Sequence, residues 1–544
     1  MKNNNIVIGV DRSISNSYLV SYLYQSNAYF TFVDNIKEAI SDYGIKVFIW
    51  NTFFDFNEIK ENIFIITDNF FLKDLLKIEN IQIREAYIFK AINIFEIGIN
   101  CSFMVKRKVL TFSGFSEYGN CLDNNFRKIR NSGIKYIQKN NIKFISYPFN
   151  ILKEIIGLSN EYRPIYSETV KKFYCEIGPT IDYCFLRKLT NHIFTFSFNK
   201  INLPYINHNR SIKNNGSYSI RIDADGFSKK CLNHTLNLAL ESSKKFTWYI
   251  DIYSWLKHGG IHFIKELREN NQNIQIHSFR HMTYRNFLNN FLNISIAKIV
   301  FKFFNIKAVS FVSPFGFYNF NYQKVISKFS FIYTSEFGFN INDIASFPFN
   351  NKSYPLQIPT NNASITTLRM SGFSKKEIFD HLYESTIKLA KENTFAILYE
   401  HPVNGIGEEF YQYKLLIKKL DKVLKYKSIE DYANNIERNF QETNKYNFLD
   451  FEKNNFNDYF IYVDYNNELK KALKNIYEPL ETDFLIPYEK AELYTKLVKK
   501  RKNFFKKNLK NEYESNFLSF LVLYLFKSLF LILKNFINRK IKNF

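Results

Sequence analysis

The chain has 544 residues, which at roughly 100–200 residues per domain corresponds to about three domains. Hydrophobic residues make up 46% and charged residues 23%, which excludes a collagen, a low-complexity disordered chain and a polytopic membrane protein. The formal charge is +23, from 74 lysines and arginines against 51 acids, yet only 16 of those cations are arginine. Arginine makes the best bidentate contacts to phosphates and bases, so its scarcity argues against a nucleic-acid binder. No helix-turn-helix, RRM or zinc-finger pattern is present either.

The N-terminus runs MKNNNIVIGVDRS. Its apolar run is too short for a secretory leader and reads as a first β-strand, so folding is expected to begin in the cytoplasm. Cysteine supports a reducing compartment: the five residues include no CxxC pair. Apolar runs at 6–10, 28–33, 46–50 and 62–68 alternate with helical stretches. That predicts an α/β unit over residues 1–200 with a parallel sheet. The small polar turn with Gly9, Asp11, Ser13 and Ser15 can hold a phosphate or be an ordinary βα turn. Residues 200–216 read as a linker.

From 217 the alternation is clearer. Strands are expected at 217–223, 245–253, 273–279, 307–313, 329–335, 354–359 and 394–400. Helices are expected at 231–243, 261–270, 374–393 and 409–440. Short connections predict a distorted (β/α) barrel over 216–440, with functional residues at the C-terminal strand ends. Residues 441–495 read as a small β-rich appendage.

Residues 496–510 (KLVKKRKNFFKKNLK) are densely basic, and 517–533 are almost wholly apolar apart from Lys527. The run is short for a spanning helix, and a central lysine is costly in hydrocarbon. An amphipathic helix lying on anionic lipid fits 496–544 better. A buried terminal helix is the competing reading.

The barrel carries the chemistry. Its first strand ends Arg221-Ile222-Asp223-Ala224-Asp225-Gly226. Side chains two apart on a strand share a face, so Asp223 and Asp225 can meet one pocket. One carboxylate can ligate a metal while the other takes a proton from water. The third strand ends His277-Ser278-Phe279-Arg280-His281. Two histidines four apart on a helical turn can chelate one ion. His258 and His262 share that spacing, but the glycines between them mark the pair as structural. An aspartate at the end of the first strand together with His277 and His281 gives an Asp-His-His site with room for water, the open geometry of a catalytic zinc or similar ion. His401, at the end of the strand at 394–400, can act as a general acid above the metal site or be a surface histidine in a turn. Trp248, Trp255, Tyr318 and Phe337 could stack on sugars, although core packing is the commoner fate of such residues.

The order DADG (223–226), HSFRH (277–281), VSPFG (312–316) and LYEHP (398–402) resembles the polysaccharide deacetylases of the NodB-homology type, carbohydrate esterase family four. The resemblance covers about residues 216–440. It implies Asp225, His277 and His281 as ligands of a divalent metal, zinc by default. It implies Asp223 as the base toward the attacking water and His401 as the acid that protonates the departing amine. The backbone amide of Phe315 or a neighbour would then stabilise the oxyanion. The implied activity is hydrolysis of N-acetyl groups on a surface or lipid-linked glycan; the strand-like N-terminus and the amphipathic tail, read apart from the resemblance, lead to the expectation of a place at the cytoplasmic face of a membrane. Two features depart from the family: Ala224 separates the two aspartates, and Val312 stands where the family's base-orienting arginine lies. Arg221 or Arg280 can substitute for that arginine. The same departures favour a second reading, a degenerate barrel that binds glycan or acts as a scaffold.

Removal of residues 511–544 is expected to move the protein from the membrane pellet to the supernatant on fractionation. Equal pelleting of the shortened chain overturns the tail as an anchor.

Overall fold

A computed structural model describes residues 7–443, except 27, 29, 96–98, 202, 204, 208–215, 285, 361, 362 and 394, together with 460–462 and 486. Most of the appendage expected at 441–495, and the whole of the tail at 496–544, lie outside the described residues.

The N-terminal part begins with strands β1 (Ile8–Asp11), β2 (Phe30–Val33), β3 (Val47–Ile49) and β4 (Ile63–Asp68), close to the expected runs. Helices α1 (Tyr18–Ser26), α2 (Ile36–Tyr43) and α3 (Asn69–Leu75) are interleaved with them. The unbroken burial of β3 and β4 is the pattern of strands covered on both faces. The chain then turns antiparallel. Long strands β5 (Gln82–Ile94) and β6 (Ile99–Thr111) pair with each other, β7 is Ser116–Tyr118, and β8 (Asn120–Leu122) joins β5. Strands β9 (Ile134–Lys139) and β10 (Ile142–Tyr147) form a hairpin. The first sheet therefore runs β2-β1-β3-β4-β10-β9-β7, parallel as far as β10 and antiparallel beyond.

The turn after β1 holds no phosphate cradle. The Asp11 carboxylate accepts from the Ser13 and Asn51 backbone amides and the Thr52 hydroxyl. Gly9 is needed for packing, because a Cβ there would lie 2.5 Å from the Phe48 ring. This is an ordinary βα turn.

A second hairpin, β11 (Asn160–Ser167) and β12 (Lys172–Pro179), is followed by helix α4 (Tyr183–Asn199) and the short strand β13 (Tyr205–Asn207). The parallel array then starts with β14 (Ser217–Ala224) and continues through β15 (Thr247–Ile250), β16 (Asn273–Ile276), β17 (Ser310–Phe311), β18 (Tyr333–Thr334) and β19 (Leu356–Gln357). β20 (Phe395–Glu400) and β21 (Lys425–Tyr426) flank β14, and β22 (Phe460–Tyr462) returns to pair with β13. The order β19-β18-β17-β16-β15-β14-β20 is an open arc, a half-barrel. Helices α5 (Lys229–Glu241), α6 (Ile252–Lys257), α7 (Ile261–Glu269), α8 (Phe287–Phe303), α9 (Phe320–Ile326), α10 (Ile365–Met370), α11 (Lys375–Asn393), α12 (Phe410–Leu420) and α13 (Ile429–Thr443) accompany it. The expected helix at 409–440 is thus two helices with β21 between them.

Period-two alternation sorts this sheet. Tyr218, Ile220, Ile222 and Ala224 of β14 join Trp248, Ile250, Ile274, Ile276 and Phe311 in one apolar core. The other face carries Ser219, Arg221, Asp223, Gln275, His277 and Ser310, all buried. Trp248, Trp255, Tyr318 and Phe337 are also buried, which removes them as sugar-stacking surfaces.

His381 of α11 is buried, and its Nδ1 lies 2.8 Å from Ser167 Oγ of β11, while its Nε2 has no partner. Burial holds the imidazole neutral, down to about 4 from 6.5. Below pH 6.5 the unfolded chain therefore binds a proton that the folded chain refuses. Stability is expected to fall between about pH 6.5 and about pH 4, by up to about 3 kcal/mol from this residue. Thermal melts against pH check this, and His381→Gln should flatten that part of the profile.

Candidate metal and acid–base site

Each strand of the array delivers a polar residue to the same end. Arg221 and Asp223 sit on one face of β14. The Arg221 guanidinium is fully buried and grips Asp223 with two bonds, Nε to Oδ1 at 2.7 Å and Nη2 to Oδ2 at 2.6 Å. Its Nη1 donates to the Ser335 carbonyl at 2.5 Å, with the Ser335 and Thr360 hydroxyls at 3.2 and 3.1 Å. The rings of Tyr399, Tyr249 and Phe337 lie 5.1, 5.3 and 5.6 Å from the guanidinium carbon. A buried charge needs such satisfaction. Burial opposes the charge on Asp223, but the Arg221 guanidinium outweighs it and holds the carboxyl below its ordinary value.

Asp225 lies just beyond the strand, two residues on. Its Oδ2 is 3.6 Å from His281 Nε2 and 3.7 Å from His401 Nε2. His277 and His281 bring their Nε2 atoms within 3.1 Å of each other. Among the described residues, Asp225, His277 and His281 form the one cluster of three metal-ligand types, with a donor atom of each inside 4.8 Å. The two histidines do not share a helical turn, as their spacing suggested. His277 continues β16, its N–H bonded to the Ile250 carbonyl, and Ser278 then turns the chain at φ +88°. Asn293 of α8 folds the loop back, accepting from the Arg280 amide and donating to the carbonyls of Arg280 and Met282.

The set fits a divalent cation. His277 Nδ1 is 3.0 Å from the Val312 carbonyl, which only accepts, so Nδ1 carries the hydrogen and Nε2 presents its lone pair. Burial holds both imidazoles neutral, His277 lowered and His281 down to about 4, the latter helped by its neighbour His277. Two neutral nitrogens and a carboxylate oxygen are borderline ligands that suit zinc and its neighbours.

His401 directly follows β20, two residues after Tyr399, whose hydroxyl is 3.0 Å from His401 Nε2. Phe315 sits in a turn at φ +62°, its ring 4.7 Å from that of His281. Gly316 follows at φ +66°, where a Cβ would strike Phe337 at 2.5 Å. Of the two arginines that could replace the one missing at Val312, Arg221 is the one bonded to Asp223. Arg280 instead lends its charge to Asp251.

Sequence reasoning missed three residues. Glu336 is fully buried and accepts from the Ser313 amide at 2.9 Å and the Ser313 hydroxyl at 2.5 Å, which fastens the Phe315 turn. Burial pushes its carboxyl up to about 7 against those bonds. Asp251 is buried with an unpartnered Oδ1, and burial together with nearby Asp225 raises it well above the usual carboxylate range. Tyr399 braces both Arg221 and His401. All three follow or end strands of the array, which was the available signal.

No family model and no curated protein matches the sequence. Solved structures do. A putative polysaccharide deacetylase from Mycobacterium smegmatis is similar over 42% of this chain and 92% of its own, at 11% identity and a TM-score of 0.36. A probable polysaccharide deacetylase from Pseudomonas aeruginosa PAO1 is similar over 41% and 92%, at 12% identity and a TM-score of 0.36. A CE4 family pseudoenzyme from Bacillus anthracis is similar over 40% and 65%, at 15% identity and a TM-score of 0.29.

Arg221→Ala would leave Asp223 buried without its partner. A loss of about 3–5 kcal/mol in denaturant unfolding is expected. Arg280→Ala leaves the pair intact and should stay within about 1 kcal/mol of the parent.

Proposed function

We propose that the protein is a metal-dependent hydrolase that removes N-acetyl groups from sugars of a surface or lipid-linked polysaccharide. The observation that carries this reading is the convergence of Asp225, His277 and His281 within 4.8 Å, beside Asp223 and His401, at one end of a parallel sheet. Asp225, His277 and His281 would hold the cation, zinc first among the candidates. When bound, the ion supplies Lewis acidity that polarises the acetamide carbonyl.

The remaining work falls to the chain. Asp223 accepts the proton of the attacking water on a lone pair not engaged by Arg221. Arg221 fixes the carboxylate toward the site. The amide of Phe315 donates to the developing oxyanion, in a turn that Glu336 holds. His401 gives its proton to the departing nitrogen as the C–N bond breaks, leaving acetate and a free amine. Tyr399 orients the His401 ring. We place this activity at the cytoplasmic face of a membrane. The five cysteines form no disulfide, and the apolar run at 517–533 with its lysine-rich flank supports attachment to anionic lipid.

A second reading has its own support. Both Asp223 oxygens accept from Arg221, and a carboxyl held below its ordinary value is a weak base. A barrel that keeps the metal and binds glycan without turning it over would show the same geometry.

Metal content per chain separates the parts of the proposal. The purified protein should carry close to one equivalent of a divalent ion, lost in His277→Ala. On N-acetylated oligosaccharides, Asp223→Asn and His401→Ala should each lower kcat by about 10²–10⁴ with the metal retained. A metal-loaded protein with no acetate release from any such glycan supports the binding reading instead.

A further inference from the structure

We propose that the outer face of α8, with the start of α9, is a docking surface for an anionic lipid bilayer. This inference stands on its own and does not require the deacetylase reading.

The sequence around these helices is unusual in charge. From Asn270 to Ser335 there is no aspartate or glutamate, while seven lysines and arginines occur. Helix α8 is apolar on both faces. Its inner face packs Ile294, Ala297 and Phe301 into the barrel core and uses Asn293 to hold the loop of His277 and His281. Its outer face exposes Leu288, Ile299 and Phe303, at 58%, 54% and 82%, on one helical stripe. Half-buried Leu292 and Ile296 fill the gaps in that stripe. Phe287 is exposed at the same end as Leu288, and Phe320 at the start of α9. A 17-residue helix is about 26 Å long, so this is a continuous strip and not a scattered residue.

Cations border the strip. Lys302, Lys307, Lys324 and Lys328 are exposed. Lys324 lies 4.2 Å over the Phe320 ring. From α7, Arg268 reaches the Phe304 carbonyl at 2.7 Å. Apolar side chains that enter the acyl boundary, flanked by lysines that meet phosphate headgroups, are what an interfacial helix needs.

Charge also decides against the other occupants. A second copy would bring the same lysines of α8 and α9, with no acid on either helix to meet them. The chain's own apolar run at 517–533 follows the basic stretch 496–510, which the same face would repel. An anionic bilayer is attracted by both features. Stable attachment generally takes two signals, so this face and the tail would act together, and loss of either would be felt. The loop of His277 and His281 would then stand one helix width from the lipid surface.

The test uses the full-length chain in flotation with vesicles of neutral phosphatidylcholine and of phosphatidylcholine with 30 mol% phosphatidylglycerol. Binding is expected to the anionic vesicles only and should weaken with salt. Ile299→Ser with Phe303→Ser should lower the partition coefficient tenfold or more. Lys302→Glu with Lys307→Glu should lower it by at least about fivefold per lysine. Phe303→Cys, in a chain carrying Cys231→Ser, gives a site for a polarity-sensitive dye. A blue shift on adding anionic vesicles is expected. Four results would overturn the proposal: no binding by the parent, unchanged binding by both double variants, a dye that does not respond to vesicles, or a dye already shifted without lipid. In the last case, dependence on protein concentration would mark a second copy, and independence would mark the chain's own tail.

Discussion

The half-barrel is organised around one buried ion pair. Arg221 and Asp223 lie two residues apart on the central strand, so the pleat alone aims both at the same face. A guanidinium with no exposed surface is tolerable only if its donors are met. Meeting them recruits Ser335 and Thr360 from beyond the far strands, with the ring of Phe337 from the same region and those of Tyr249 and Tyr399 from the neighbouring strands. The pair therefore ties β14 to the ends of β18 and β20, and it fixes the spacing within which Asp225, His277 and His401 can meet. In this chain the arginine that orients the carboxylate comes from the aspartate's own strand. Val312 is a core residue whose carbonyl orients His277.

Much of this was legible because it is local. The strand ends at 223, 277 and 400 follow from alternation and from short βα connections. Arg221 could be named as a stand-in because its distance from Asp223 is two residues, whatever the fold. Asp225, His277, His281 and His401 could be grouped because parallel strands end on one side. The N-terminal strands at 8–11, 47–49 and 63–68 were equally plain, being continuous apolar runs.

What escaped the sequence depends on long-range partners. The histidine pair has helical spacing, yet Ser278 and Asn293 build an irregular loop that spacing cannot report. Glu336 looks like any acid after a strand until Ser313, 23 residues earlier, is seen to donate to it twice. Asp251 gains its character from burial beside Asp225 on an adjacent strand. The antiparallel strands after residue 80 depend on pairing between long, amphipathic segments, and alternation alone does not distinguish their partners.

The N-terminal part also reaches the site from behind. Asn160 of β11 donates to the Tyr318 carbonyl at 2.6 Å, and Gly338 donates to Gly316, so the hairpin braces the turn that carries Phe315. Ile177 of β12 packs with Phe337 and Tyr399, two of the rings around Arg221. Arg187 of α4 pairs with Asp343 at 2.6 Å and donates to Asn393 at 3.0 Å. Two of the three rings around the central guanidinium are thus backed by a residue that precedes the half-barrel in the chain. Rings backed in this way from outside the half-barrel have less room to move, which favours the rigidity an acid–base site needs. This gives the N-terminal segment a physical role whether or not it binds a ligand of its own.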